Sequence, residues 1–200
     1  HGDHPSATAL GLSLGFDRQR VLLQMRRSLF APVPAPVLPA GVSLRPFQPG
    51  VDDEAWVRIN ARAFARLPDQ GRWTIEDLRV RMAEPWFDPA GFLLAERDGA
   101  LVGFHWTKVH GAHTGLDSGG EHAHDPIGEV YVLGVDPDAQ GTGLGAALTL
   151  AGLRYLRGRG LDQAMLYVDE ANPGAVALYR KLGFARWSTD VCFSRRRSSG

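Results

Sequence analysis

The stretch Glu129–Ala147, EVYVLGVDPDAQGTGLGAA, decides how this chain is read. Glu129–Val135 is an apolar, β-branched run of strand length. It leads into Gln140-Gly141-Thr142-Gly143-Leu144-Gly145 and then Ala146, Ala147 and Leu148, which read as the opening of a helix over Gly141–Arg159. Backbone N–H groups at a helix start lack intrahelical partners and carry the positive end of the helix dipole. They bind phosphate directly, and glycine lets the backbone come close to it. Two other phosphate loops do not fit. A P-loop needs Gly-Lys-Ser/Thr after the glycines, and no lysine is near. The dinucleotide fingerprint is G-x-G-x-x-G in a first βα turn, whereas here the spacing is G-x-G-x-G in mid-chain. A second stretch, Asn172–Phe184, NPGAVALYRKLGF, reads as a helix with Asn172 at its start and Tyr179 about two turns further on.

Working outward, the remaining elements alternate in type. Val42–Phe47 reads as a strand, and Asp52/Asp53 can cap a helix running to about Phe64, with Trp56, Ile59 and Ala63 on one face. Pro68-Asp69-Gln70-Gly71 is a turn, and Thr74 with Asp77 resembles a capping box for Ile75–Met82. Gly91–Glu96 and Leu101–Val109 are strands around an Asp98-Gly99 hairpin turn. Ala164–Val168 is a strand, and Ala185–Arg195 supplies one or two more. Two strands, then β–α–β–α–β, predict an α/β domain with a mixed central sheet flanked by helices.

Composition narrows the class. Hydrophobic residues make up 44% and charged residues 22% of 200, as in an ordinary globular chain. Lys+Arg 22 balances Asp+Glu 22, so charge offers no argument for nucleic acid or an anionic membrane. No run approaches the roughly 18 apolar residues of a membrane span. The single cysteine, Cys192, excludes an internal disulfide and fits a reducing cytoplasm; within Val191-Cys192-Phe193 it is expected to be a buried thiol. His110, His113, His122, His124 and Asp125 fall in a Gly/His/Asp-rich stretch without zinc-ligand spacing, so a solvated loop and no metal are expected. Arg195-Arg196-Arg197 reads as a solvated tail.

The chain also repeats itself. HPSATALGLSLGF at residues 4–16 matches residues 172–184 at seven positions with one offset and no gap. The pairs are Pro5/Pro173, Ala7/Ala175, Ala9-Leu10/Ala177-Leu178 and Leu14-Gly15-Phe16/Leu182-Gly183-Phe184. Gly11 stands opposite Tyr179. The repeat implies that residues 1–30 are the last helix and strand, with the strand at Arg20–Arg26, of a preceding homologous domain. The alternative is a common helix ending that recurs by chance. Residues 31–41, with four prolines, read as an extended linker, 42–195 as the main domain and 196–200 as a tail. A chain starting at His1 suggests a piece of something longer.

Gln140, Gly143 and Gly145 match the Q/R-x-x-G-x-G/A motif of the GCN5-related N-acetyltransferase family, which this chain resembles. The resemblance implies that fold and acetyl-CoA as co-substrate. Gln140, Gly141, Thr142, Gly143, Leu144, Gly145 and Ala146 would hold the pyrophosphate. Leu133, Gly134 and Val135 would pair with the pantetheine as an added strand does, with Gly134 at a strand bulge. Asn172, Pro173, Gly174, Ala175, Val176 and Ala177 would cover the pantetheine arm. Transfer to an amine needs a base for the ammonium proton and an acid for the departing thiolate. Glu129, at the start of the cofactor strand, suits the first task, and Tyr179 lies where the family carries its acid.

Further segments resemble one tandem-domain subfamily of actinobacteria, which acetylates the cysteinyl amine of cysteinyl-glucosaminyl-inositol to give mycothiol. They are Asn60–Phe64, Pro68–Thr74, Gly103–Lys108, Gly128–Pro137 and Leu166–Val168. This closer resemblance implies that Asp69, Lys108, Glu129 and Tyr167 line the acceptor site, with Asp69 where that subfamily commonly has Glu. It also implies a small-molecule amine partner, a preceding acetyltransferase domain in the same chain, and a monomer. Other acceptors, such as a protein N-terminus or another amino sugar, and a non-catalytic acetyl-CoA-binding module stay open.

Overall fold

The computed structural model describes residues 5–111 and 125–195, apart from the side chains of Pro68 and Asp69. Along the chain run α1 (Pro5–Ser13), β1 (Phe16–Ser28), β2 (Val42–Pro46), α2 (Asp53–Ala63), α3 (Pro68–Gly71), α4 (Ile75–Met82), β3 (Phe92–Arg97) and β4 (Ala100–His110). Then come β5 (Ile127–Val135), α5 (Leu144–Gly158), β6 (Gln163–Asp169), α6 (Pro173–Lys181) and β7 (Ala185–Arg195). The chain divides into two compact units. One runs through Ser28–Ala164, and the other joins residues up to Arg27 with those from Met165 onward.

In the larger unit β2, β3, β4 and β5 form an antiparallel meander, with β3 and β4 closed by the Asp98-Gly99 turn. Alternate residues serve opposite layers, as a pleated strand requires. Phe92, Leu94, Phe104 and Trp106 pack with Trp56 and Ile59 of α2 and Leu78 of α4. Phe92 lies stacked between Phe47 and Trp106, at 4.3 and 4.4 Å between ring centres, and Trp56 meets Phe92 and Trp106 edge-on. On the other face Ala95 and Leu133 pack with Leu144 and Leu148 of α5.

Helix starts follow the sequence with two exceptions. Thr74 and Asp77 form the expected reciprocal capping box. Asp52, by contrast, makes no side-chain cap to α2; its carboxylate takes Arg45 at 2.6 and 2.8 Å and the Gln48 N–H at 2.7 Å. A bidentate guanidinium outcompetes a single helix N–H for the same oxygens. The second exception is α5, which begins at Leu144 rather than Gly141, because Gly141 and Gly143 sit at φ +77° and +88°, outside any right-handed helix.

In the smaller unit β1 lies between β6 and β7. It pairs antiparallel with β7 from Phe16↔Arg195 to Arg26↔Ala185. Glu170 N–H donates to the Val21 carbonyl at 2.9 Å along its other edge. The strand is longer than the expected Arg20–Arg26. The two repeat copies give matching elements: helices Pro5–Ser13 and Pro173–Lys181 start and end at equivalent positions, and Gly15 and Gly183 both take positive φ after them. Cys192 is exposed, contrary to expectation, because alternation on β7 turns it to the face opposite its half-buried neighbours Val191 and Phe193. No helix among the described residues is long and apolar enough to cross a membrane.

Candidate active site

The larger unit carries the expected base, the lysine and the glycine-rich loop. Lys108 and Glu129 are directly opposed in the β4–β5 ladder, two positions from the rung His110↔Ile127. A bulge decides which way Glu129 points. Trp106 pairs with Val132 and Thr107 with Val130, so Tyr131 is the extra residue. Below the bulge a Cβ on Gly128 would meet Leu156 of α5, whereas above it Leu133 is the residue facing α5. The side-chain phase therefore slips by one, and Glu129 shares the Trp106 face with Lys108 and His110. The sequence placed the bulge at Gly134. Gly134 is instead in register with Phe104, and a Cβ there would lie 2.6 Å from the Phe104 ring and 3.0 Å from Ala63. Its missing side chain makes room for packing.

Glu129 is buried, and His110 Nε2 lies 2.6 Å from its Oε2. The sequence assigned His110 to a solvated loop; the structure makes it the last residue of β4. Pairing with a bulged partner strand carries β4 past Val109 and holds the ring against the carboxylate. Lys108 sits over aromatic faces, its ammonium 4.6 Å from the centre of Trp86 and 5.4 Å from that of Tyr131. Arg81 stacks on Trp73 at 3.8 Å and donates to the Tyr131 hydroxyl at 3.2 Å. Such cation–π contacts fix long side chains that would otherwise sample many rotamers. Asp69 falls in the one-turn helix α3, anchored by Asn60 Nδ2 donating to the Gln70 carbonyl at 2.7 Å; the Asp69 side chain lies outside the described residues. So do His113, His122, His124, Arg196 and Arg197.

Between β5 and α5 the chain makes a short Pro137–Ala139 turn and then Gln140–Gly143. Asp136 accepts the Asp138 N–H at 3.0 Å, while Arg62 of α2 grips its two oxygens at 2.6 and 2.9 Å and reaches Asp138 at 2.9 Å. The Arg62 guanidinium holds the Asp136 carboxyl below the usual carboxylate range. Thr142 Oγ1 donates to the Ala139 carbonyl at 2.7 Å, closing the loop on itself. Leu144, Gly145 and Ala146 form the first turn of α5, whose N–H groups have no partner four residues back. The expected phosphate-binding glycines thus sit in a left-handed turn before the helix as well as in its opening.

The smaller unit carries Tyr167, Asn172–Ala177 and Tyr179. Asn172 caps α6, its Oδ1 accepting the Ala175 N–H at 3.1 Å, with Pro173 at the first helical position. Tyr179 is buried edge-on against Phe184 at 5.8 Å between centres, and burial pushes its phenol up to about 12. It keeps its proton throughout the neutral range. The Tyr167 hydroxyl accepts from Gln24 Nε2 of β1 at 2.8 Å, which leaves its own O–H to donate elsewhere. Gln24 was not singled out from sequence, and His110 was read there only as part of a solvated loop. The contacts of both depend on strand pairings of long sequence separation or shifted register, which leave no local pattern.

Residues 55–184 match the family model described as "Acetyltransferase (GNAT) family". The match spans more than half of the sequence, and the chain belongs to this family. Among individual proteins it is 62% identical over 197 residues to the mycothiol acetyltransferase of Acidothermus cellulolyticus, covering 98% of this chain and 60% of that protein. It is 63% identical over 195 residues to the mycothiol acetyltransferase of Thermobispora bispora, covering 98% of this chain and 64% of that one. The chain therefore spans somewhat over half the length of these relatives. The GCN5-related N-acetyltransferase from Sphaerobacter thermophilus superposes with a TM-score of 0.74 at 29% identity, covering 95% of this chain and 56% of that one. The expected acetyltransferase fold is the one observed.

Proposed function

We propose that this chain transfers the acetyl group of acetyl-CoA to the cysteinyl amine of cysteinyl-glucosaminyl-inositol, forming mycothiol. Identity above 60% to mycothiol acetyltransferases across nearly the whole chain carries the choice of acceptor. The buried Glu129 on the bulged strand supports the chemistry. Glu129 takes a proton from the acceptor's ammonium, and the freed nitrogen attacks the thioester carbonyl. Collapse of the tetrahedral adduct breaks the C–S bond, and the second proton of the attacking nitrogen ends on the departing sulfur, to which Tyr179 donates a hydrogen bond. A phenol near 12 faces a thiol whose ordinary pKa is about 8.5. Tyr179 therefore stabilises the departing sulfur by a hydrogen bond more than by complete proton transfer. The N–H groups of Gly141–Ala146 and the Gln140 side chain receive the pyrophosphate. Leu133–Val135 and Asn172–Ala177 contact the pantetheine, with the capping Asn172 keeping its amide NH₂ to donate. Lys108, Asp69 and Tyr167 read the hydroxyls of the acceptor.

Residues 1–30 are, in this reading, the last helix and strand of a preceding homologous acetyltransferase domain, followed by a linker at 31–41. The acceptor bears a free thiol, which suits a reducing cytoplasm. The test is a thiol-release assay on this 200-residue chain with acetyl-CoA and cysteinyl-glucosaminyl-inositol, with mass spectrometry locating the acetyl group. Release with acetylation on the cysteinyl amine is expected. Preference for a peptide N-terminus or another amino sugar would refute the acceptor, and binding of acetyl-CoA without release for any amine would refute catalysis by this chain.

A further inference from the structure

His110 has no task in the reaction set out above, yet its imidazole touches the proposed base. Nε2 of His110 and Oε2 of Glu129 are 2.6 Å apart, and the Glu129 side chain is 10% exposed while that of His110 is 36% exposed. The carboxylate is thus enclosed and the ring reaches water. A base that accepts a proton in every turnover must also lose one in every turnover, and enclosure impedes its direct loss to solvent. Imidazole is the side chain that gains and loses a proton most readily near neutral pH. Lys108, the cation opposite Glu129 in the ladder, lies over Trp86 and Tyr131. An ammonium has no acceptor site for the proton in any case.

We infer that His110 is a positioning residue and proton exit for Glu129. The acceptor's ammonium gives one proton to the Glu129 carboxylate, freeing the nitrogen lone pair. That proton passes to Nε2 of neutral His110, which becomes an imidazolium. The imidazolium releases one proton to water, so Glu129 and His110 end the cycle as they began it. One proton has moved from ammonium to solvent, with no oxidant, reductant or further reactant. The inference rests on the reading of Glu129 as the base.

The test compares His110→Ala, His110→Gln and Glu129→Gln in the full chain, with thiol release followed at saturating acetyl-CoA and cysteinyl-glucosaminyl-inositol. Loss of an acid–base partner predicts that His110→Ala lowers kcat roughly tenfold or more, with the KM for acetyl-CoA within about twofold, as uniform coenzyme binding is untouched. Added imidazole should restore the rate in proportion to its concentration, and substituted imidazoles should rank by basicity. His110→Gln, which can hold a hydrogen bond but not carry the proton, should stay slow. Unchanged kcat in His110→Ala, a loss that imidazole does not restore, or full activity in His110→Gln would overturn the relay. Full activity in Glu129→Gln would instead remove the base assignment beneath it. A reading independent of turnover comes from ¹⁵N-histidine spectra: the His110 Nε2 resonance should move in Glu129→Gln. No movement would mean the pair does not exist in solution, which also overturns the relay.

Discussion

Gly152, in the middle of α5, sets two effects against each other. Glycine inside a helix costs about 1 kcal/mol relative to alanine, so propensity alone favours Gly152→Ala. A Cβ there would lie 2.0 Å from Cε1 of His105, whose ring is fully buried with Nδ1 2.7 Å from the Leu148 carbonyl. Overpacking of a closed core costs about 1–3 kcal/mol, and so severe an overlap with an enclosed ring belongs at the upper end. Packing wins, and Gly152→Ala should lower stability by about 1–2 kcal/mol, read as a lower urea midpoint at unchanged m-value. His105 also makes a pH prediction. Burial pushes its imidazole down to about 4, against about 6.5 when unfolded. The fold holds it neutral, so the contribution is complete above 6.5 and is lost as pH falls toward 4. Two to three units correspond to stability on the order of 3 kcal/mol. His105→Leu should flatten the fall in urea midpoint between pH 6.5 and 4; an unchanged slope would place the titration elsewhere. The place of Glu129 on an apolar strand was legible at this scale, although the strand begins two residues earlier, at Ile127. Its partner was not, since only the slip at Tyr131 brings His110 to it.

Among elements, the tie between α2 and the loop before α5 has the clearest functional consequence. Arg62 reaches Asp136 and Asp138, so the end of one helix fixes the turn that feeds the loop proposed to hold the pyrophosphate. Exposed ion pairs contribute little to global stability. Arg62→Ala should therefore leave the melting temperature almost unchanged. The KM for acetyl-CoA should rise roughly two- to fivefold, the span of one modest contact, with kcat held. A fall in kcat at constant KM would argue that the clasp serves the reacting atoms instead. Element types were largely legible from hydrophobic periodicity, and Ile75–Met82 came out with the bounds expected from its capping box. The start of α5 was not, because Gly-x-Gly-x-Gly is compatible with a helix in composition and incompatible in φ. Cys192 was misread since alternation on β7 depends on which neighbour covers each face.

At the scale of the whole molecule, β1 joins distant parts of the chain. Leu23 and Met25 on it are buried, and each such side chain contributes about 1.5–3 kcal/mol. Deleting residues up to Arg27 should lower the melting temperature by roughly 10 °C or more at about 2–4 °C per kcal/mol. It would also leave two strand edges unpaired, so aggregation during the melt, followed by light scattering, is expected. The repeat was legible in the sequence, and the strands that follow its two copies pair with each other, running antiparallel around Leu22↔Asp190, where a position and its own counterpart meet. That pairing was not legible, because a motif says nothing of its neighbour in space. It also imposes an order on manufacture. β1 leaves the ribosome far ahead of β6 and β7, and at roughly 5–20 residues per second it waits on the order of ten seconds for them. Until then its apolar positions are on offer to chaperones. Slow codons placed between Gly160 and Arg195 would lengthen that interval and lower soluble yield without changing a single amino acid.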